Sequence, residues 1–114
     1  MSDVISAHDA RAVSIQLEAV DAAEVASGAP RAGFTEVFEG PGGTSVGVWE
    51  MTVGASRDVE EDEVFIVLSG SATIEIDGEQ PVEIGPGSLV RLTAGSRTTW
   101  TVHATLRKVY VTAG

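Results

Sequence analysis

The sequence predicts an all-β sandwich or barrel behind a short N-terminal arm, and three observations carry that expectation. From Phe34 onward, short runs of Val, Ile, Thr, Phe and Trp are cut at near-regular intervals by glycine and proline, the texture of short strands joined by tight turns. Six breaks fall at Gly40-Pro41-Gly42-Gly43, near Gly54, at Ser69-Gly70, at Asp77-Gly78, at Gly85-Pro86-Gly87 and at Thr93-Ala94-Gly95-Ser96, all residue types that favour turns. Between two of them Ala72, Ile74 and Ile76 alternate with Thr73, Glu75 and Asp77, so one face of that strand is apolar and the other solvated.

Taken in order, residues 1–16 form the arm and residues 17–114 the domain proper. The stretch up to Gly33 is alanine-rich and loosely periodic, with a short helix expected over Asp21-Ala22-Ala23-Glu24-Val25-Ala26, ended by Ser27-Gly28 and Pro30. Val64-Phe65-Ile66-Val67-Leu68 is apolar without alternation, so both of its faces need cover, from the arm or from a second subunit. Asp77-Gly78 closes a hairpin.

The 114 residues suit one domain of ordinary size. The absence of cysteine removes disulfide frameworks, thiolate metal sites and cysteine nucleophiles together. A formal charge of -10 repels phosphate backbones and anionic lipid heads, so no nucleic acid and no membrane partner is expected. No run approaches the length of a spanning helix, and the first residues lack the basic start and apolar run of a signal peptide; the expected location is cytoplasmic. Phosphate loops, dinucleotide fingerprints and serine–histidine–acid arrangements are also absent.

Gly47-Val48-Trp49-Glu50, then Asp62-Glu63 through Ser69-Gly70, then Gly85-Pro86-Gly87, then Thr99-Trp100, then Arg107-Lys108-Val109-Tyr110-Val111 follow one another in an order that resembles the cupin superfamily. More narrowly, the set is similar to single-domain cupins related to ureidoglycine aminohydrolase. The resemblance implies a cupin-type jelly-roll barrel, a double-stranded β-helix with an interior pocket and frequent pairing into homodimers.

Metal-binding cupins bring two histidines one residue apart, a glutamate four or five positions later, a glycine seven beyond that, and a third histidine from a second motif. Imidazoles with one carboxylate suit divalent iron, manganese, nickel or zinc. Counting back from Gly70 places the glutamate at Glu63, but the histidine positions fall on Arg57 and Val59, or Ser56 and Asp58, and near Thr98. The only histidines, His8 and His103, lie outside both motifs. No metal and no other cofactor is therefore expected.

Strand parity suggests what lines the interior instead. If Glu63 faces inward, Arg57, Val59, Phe65 and Val67 share its side, with Thr98, Trp100 and Val102 on the strand opposite. The expected ligand-binding residues are Trp49, Arg57, Glu63, Phe65, Arg97, Thr98 and Trp100, with Arg57 or Arg97 as the cation facing Glu63 in place of a metal. An opposing guanidinium would hold such a carboxylate ionised. On the same parity Asp58, Glu60 and Asp62 point away from the pocket, and the run 58–63 forms a solvated edge rather than a calcium or magnesium cage. His103 is expected on the outer surface and His8 in a mobile arm. The leading functional expectation is a binder of a small polar molecule. Beside it stand an enzyme using Glu63 as general acid or base and a dimeric structural module with a vestigial pocket.

Overall fold

The computed structural model of the chain describes residues 5–113. Nine strands follow in order: β1 (Glu18–Ala19), β2 (Val25–Ser27), β3 (Arg31–Glu39), β4 (Ser45–Met51), β5 (Gly54–Val59), β6 (Glu63–Ile76), β7 (Val82–Ile84), β8 (Leu89–Leu92) and β9 (Arg97–Thr112). A single 3-10 turn at Pro41–Gly43 joins β3 to β4, and there is no α-helix among the described residues. The short helix expected over 21–26 is a turn leading into β2. Asp21 accepts the Ala23 amide on Oδ1 and the Glu24 amide on its carbonyl, and Val25 then pairs with Ser56. A local Asx turn plus sheet pairing thus outweighs the weak helical preference of Ala22 and Ala23.

Every pairing is antiparallel, and β6 and β9 are the two long strands shared by both halves of the barrel. In one half, the C-terminal part of β9 lies between β4 and the start of β6, which β8 and β3 extend on either side. In the other, the N-terminal part of β9 lies between β5 and the end of β6, extended by β2 and β7. The sheet turns from one half to the other where the β6–β9 register shifts between Val67 and Ala72. The expected turn at Ser69-Gly70 is this corner, an irregularity inside a continuous strand. Gly70 has φ +87°, and a Cβ there would fall 2.0 Å from the Thr105 carbonyl oxygen, so only glycine lets the two backbones meet at the bend.

The barrel interior holds Met51, Phe65, Val67, Ala72, Ile74, Ile84, Leu92, Trp100, Val102, Leu106 and Tyr110. Alternation explains the set: along β9 the buried residues are Thr98, Trp100, Val102, then Leu106, Lys108 and Tyr110 after the corner.

Outside, the arm crosses β3, β4 and β9. Arg107 donates from Nη1 to the Ala10 carbonyl at 2.7 Å and from Nη2 to that of Val13 at 2.9 Å, while its Nε meets Glu50 at 3.0 Å. Thr35 and Arg31 bind the carbonyls of Ser14 and Leu17. Gly33 permits the close approach, since a Cβ there would lie 2.2 Å from the Gln16 carbonyl oxygen. The arm covers Val48 and Val109, and His8 packs edge-on against Phe38, with centroids 5.5 Å apart, rather than hanging free. Among the described residues, the arm does not reach the outer side of β6. There Val64 and Ile66 stay exposed beside Leu89 and Val111.

Candidate functional site

One end of the barrel is filled by the apolar core; the other opens into a cavity of about 330 Å³. Its walls come from β4 (Trp49, Met51), β5 (Ser56, Asp58), the β5–β6 connection (Glu60, Glu61), the start of β6 (Glu63) and β9 (Trp100, Lys108, Tyr110).

At the inner wall lies Lys108, only 5% exposed. Its Nζ donates to Glu63 Oε2 at 2.5 Å and stands 4.2 Å from the Phe65 ring centroid, 4.7 Å from that of Trp49 and 4.8 Å from that of Trp100. The three ring faces supply the negative end of their quadrupoles to the ammonium, and the Glu63 carboxylate supplies full charge. Burial pushes the Lys108 pKa below the ordinary lysine value, opposed by Glu63 first and then by Glu60 and Asp58.

Glu60 is 8% exposed. Its Oε2 accepts the Thr98 hydroxyl at 2.6 Å and the Trp100 indole N–H at 2.9 Å. The backbone fixes it: its amide donates to the Ser96 carbonyl, and its own carbonyl accepts the Gly95 amide. Asp58 lies nearby on β5, its pKa raised by burial first and then by the charge of Glu60. Tyr110 is likewise raised, chiefly by burial, and Gly47 makes room for its hydroxyl, 2.3 Å from where a Cβ would sit.

Of the residues expected here, Trp49, Glu63 and Trp100 line the cavity, Thr98 fixes Glu60, and Phe65 supports Lys108 from the core. Arg57 and Arg97 do not join them. Both lie on the opposite side of β5 and β9, along an outer depression with Glu24 and Asp77, and Arg57 Nη1 donates to the Val25 carbonyl at 3.2 Å. The error is one of counting: strand period holds only within an unbroken strand. β5 ends at Val59 and β6 starts at Glu63, so the connection shifts the phase. Ser56 and Glu60 face inward before it, with Asp58 exposed at the rim, and Glu63, Phe65 and Val67 face inward after it. Glu60 therefore does not point away from the cavity as expected, and Asp58 stands at the rim between the cavity and the outer depression. Asp62 does point away, its Oδ1 accepting the Ala94 amide at 2.9 Å. The alternation of Leu106, Lys108 and Tyr110 in the terminal strand was the signal that would have found Lys108.

The donor set does not suit a transition metal. His103 lies outside, 2.8 Å from the Thr73 hydroxyl, His8 belongs to the arm, and an ammonium, which has no lone pair to give, occupies the inner wall. No group of three or more histidine or carboxylate side chains converges as a metal site among the described residues.

A shared pair of bent strands, curling one antiparallel sheet around an open-ended interior, defines a cupin barrel. Residues 38–110 match the family model of the EutQ-like cupin domain, and the chain belongs to that family. Among solved structures it is similar to the EutQ protein of Clostridium difficile, with 24% identity over 83% of this chain and 75% of that one and a TM-score of 0.68. A protein of unknown function from Rhizobium leguminosarum bv. viciae 3841 is 27% identical over 72% of this chain and 80% of that one, with a TM-score of 0.65. A DUF861-family protein of unknown function from Pseudomonas syringae pv. tomato reaches a TM-score of 0.77 at 19% identity, covering 89% of this chain and 45% of that one. No curated protein matches.

Proposed function

We propose that this chain is a small-molecule-binding cupin whose interior carries the Lys108–Glu63 ion pair where metal-binding cupins carry a transition ion. The observation that supports this reading is the Lys108 ammonium, buried against three aromatic rings at the inner wall of an open cavity. A fixed cation of this kind holds the neighbouring carboxylate in place without imidazole ligands. The ligand is a small polar molecule. A cavity walled by two indoles, a phenol and a few carboxylates offers apolar contact together with a few oriented polar groups. The test is elemental analysis of gently purified protein, followed by a ligand screen read from the indole N–H resonances of Trp49 and Trp100. Less than one tenth of an equivalent of iron, manganese, nickel or zinc, with saturable shifts from small polar compounds, is expected. A stoichiometric metal lost on Glu63→Gln would overturn the reading.

An acid–base enzyme on the ureidoglycine aminohydrolase pattern is a second reading, favoured by the direct Lys108–Glu63 hydrogen bond at the cavity wall, along which a proton can pass. Turnover of ureidoglycine-type substrates, lost in Glu63→Gln and insensitive to manganese, would support it; no turnover with or without manganese would end it.

The chain is also proposed to act in the cytoplasm as a homodimer. Val64 is 48% and Leu89 76% exposed on the side of β6 that the arm leaves open, and apolar residues grouped on one sheet face favour burial by a partner. A second copy would supply the cover that the unalternating β6 segment calls for. Should the dimer form while no ligand is found, the structural-module alternative gains instead.

A further inference from the structure

The cavity carries an unbalanced charge. Asp58, Glu60, Glu61 and Glu63 line it against Lys108 as the sole cationic lining residue. Lys108 is hydrogen-bonded to Glu63 and interacts more weakly with Glu60 and Asp58, so one cation stands against four carboxylates. Glu60 is the most constrained of them. It is more than nine-tenths buried, and both of its hydrogen bonds, from Thr98 and Trp100, fall on Oε2. No donor among the described residues reaches Oε1, and that oxygen is not sealed in the core, so it is left facing the cavity that Glu60 lines. Asp58, exposed at the cavity rim, accepts the Val59 amide on Oδ1 at 2.8 Å, and its Oδ2 has no donor among the described residues. The two carboxylates feel each other, since the charge of Glu60 is one cause of the raised Asp58 pKa.

The free oxygen of buried Glu60 inside a cavity that Trp49 and Trp100 also line, with the exposed Asp58 carboxylate at its rim, forms an acceptor site for a donor with positive charge. We infer that the cavity is a receptor for a small protonated amine, held between the free oxygens of Asp58 and Glu60 and lying over the Trp49 and Trp100 side of the pocket. The inference deepens the small-molecule reading above and rests on it. An anionic ligand meets an excess of three carboxylates over the single cation, which Glu63 already holds. A neutral ligand leaves the Asp58–Glu60 repulsion in place. An ammonium relieves it and brings several N–H donors to oxygens that lack them. Ser56 and Tyr110, also on the walls, offer hydroxyls to a polar tail.

A size-matched trio decides the matter: 4-aminobutan-1-ol, butane-1,4-diol and 4-hydroxybutyrate, each titrated into the full chain and followed by the Trp100 indole N–H, which bonds directly to Glu60. The amine is expected to bind at least about tenfold more tightly than the diol, as charge-assisted hydrogen bonds imply, with no saturable response from the carboxylate. Asp58→Asn and Glu60→Gln should each weaken the amine by a similar factor, whereas Glu83→Gln, on the outer face beside Thr73, should leave it unchanged. Because Glu60 is buried, Asp58→Asn serves as the variant least exposed to folding defects, and the trio on the unaltered protein needs no variant at all. If the diol or the carboxylate shifts Trp100 as strongly as the amine does, amine recognition is wrong while the cavity remains a binding site. If amine binding survives both variants unchanged, the assignment of the two carboxylates is wrong. If none of the three moves either indole, the amine inference falls; only silence across the wider screen of polar compounds would take the small-molecule reading with it.

Discussion

Arg107 and Lys108 are consecutive cations on one strand, and the barrel uses them in opposite ways. Arg107 points outward, where its planar fork binds Glu50 and two carbonyls of the arm at once. Lys108 points inward to one carboxylate and three aromatic faces. Guanidinium geometry suits several acceptors spread in a plane, and a compact ammonium suits a closed aromatic box. Each position therefore demands its own cation. The outward one fastens a segment that has little secondary structure of its own, and the inward one pairs with Glu63 at the inner wall of the cavity.

The largest effect should come from breaking the inward pair on one side only. Lys108→Met leaves Glu63 without its partner and is expected to cost on the order of 3 kcal/mol in urea unfolding, whereas Lys108→Met with Glu63→Leu should recover to within about 1 kcal/mol of the parent, as for other buried pairs. Equal losses in the single and double variants would show that the pair is not a unit. On the outer face, Val64→Glu should convert the proposed dimer to a monomer in light scattering while leaving the Trp49 and Trp100 indole resonances in place; an unchanged mass would remove this face as the interface.

A smaller change should follow Arg107→Met. Losing two carbonyl bonds and an ion pair is expected to cost about 1–2 kcal/mol and to speed proteolysis within residues 5–17 severalfold, with the cavity resonances unmoved. Arg107→Lys should restore only part of the protection, because an ammonium cannot reproduce the fork. If the arm resists protease as before, its other ties through Thr35 and Arg31 suffice.

The smallest effect concerns pH. Burial and Glu60 raise the Asp58 pKa, so the folded chain holds that proton more tightly than the unfolded one. The stability associated with the proton is complete below the ordinary carboxylate pKa of about 3.9 and is lost as pH rises through the raised value. Asp58→Asn should therefore flatten the pH dependence between the ordinary and the raised value and raise the melting midpoint slightly at neutral pH. A lower midpoint at neutral pH would contradict the sign.

Much of the architecture is legible in the sequence. Glycine and proline spacing marked the turns, and alternation in 72–77 marked a half-buried strand. Gly70 misled because the same left-handed glycine that makes a turn also makes a corner within a long strand. The site was legible in part. Glu63, Trp49 and Trp100 follow from motif order, and Thr98 from parity within β9. The cation facing Glu63 did not follow, because parity was carried from β5 into β6 across residues 60–62, where the phase changes. Alternation with Leu106 and Tyr110 marks Lys108 as inward-facing, but that it meets Glu63 depends on the β6–β9 pairing, which joins distant parts of the chain. The unpaired oxygen of Glu60 is a matter of side-chain geometry alone.

The most direct test is a nitrogen-15 spectrum of the lysine side chain at slightly acidic pH, where the ammonium form is observable. A Lys108 ammonium resonance shifted strongly upfield by Trp49, Phe65 and Trp100, protected from solvent exchange, and altered by Glu63→Gln in protein that holds no stoichiometric metal is the expected result. A Lys108 signal at the position and exchange rate of an exposed lysine, in protein carrying one equivalent of iron, manganese, nickel or zinc, would contradict it.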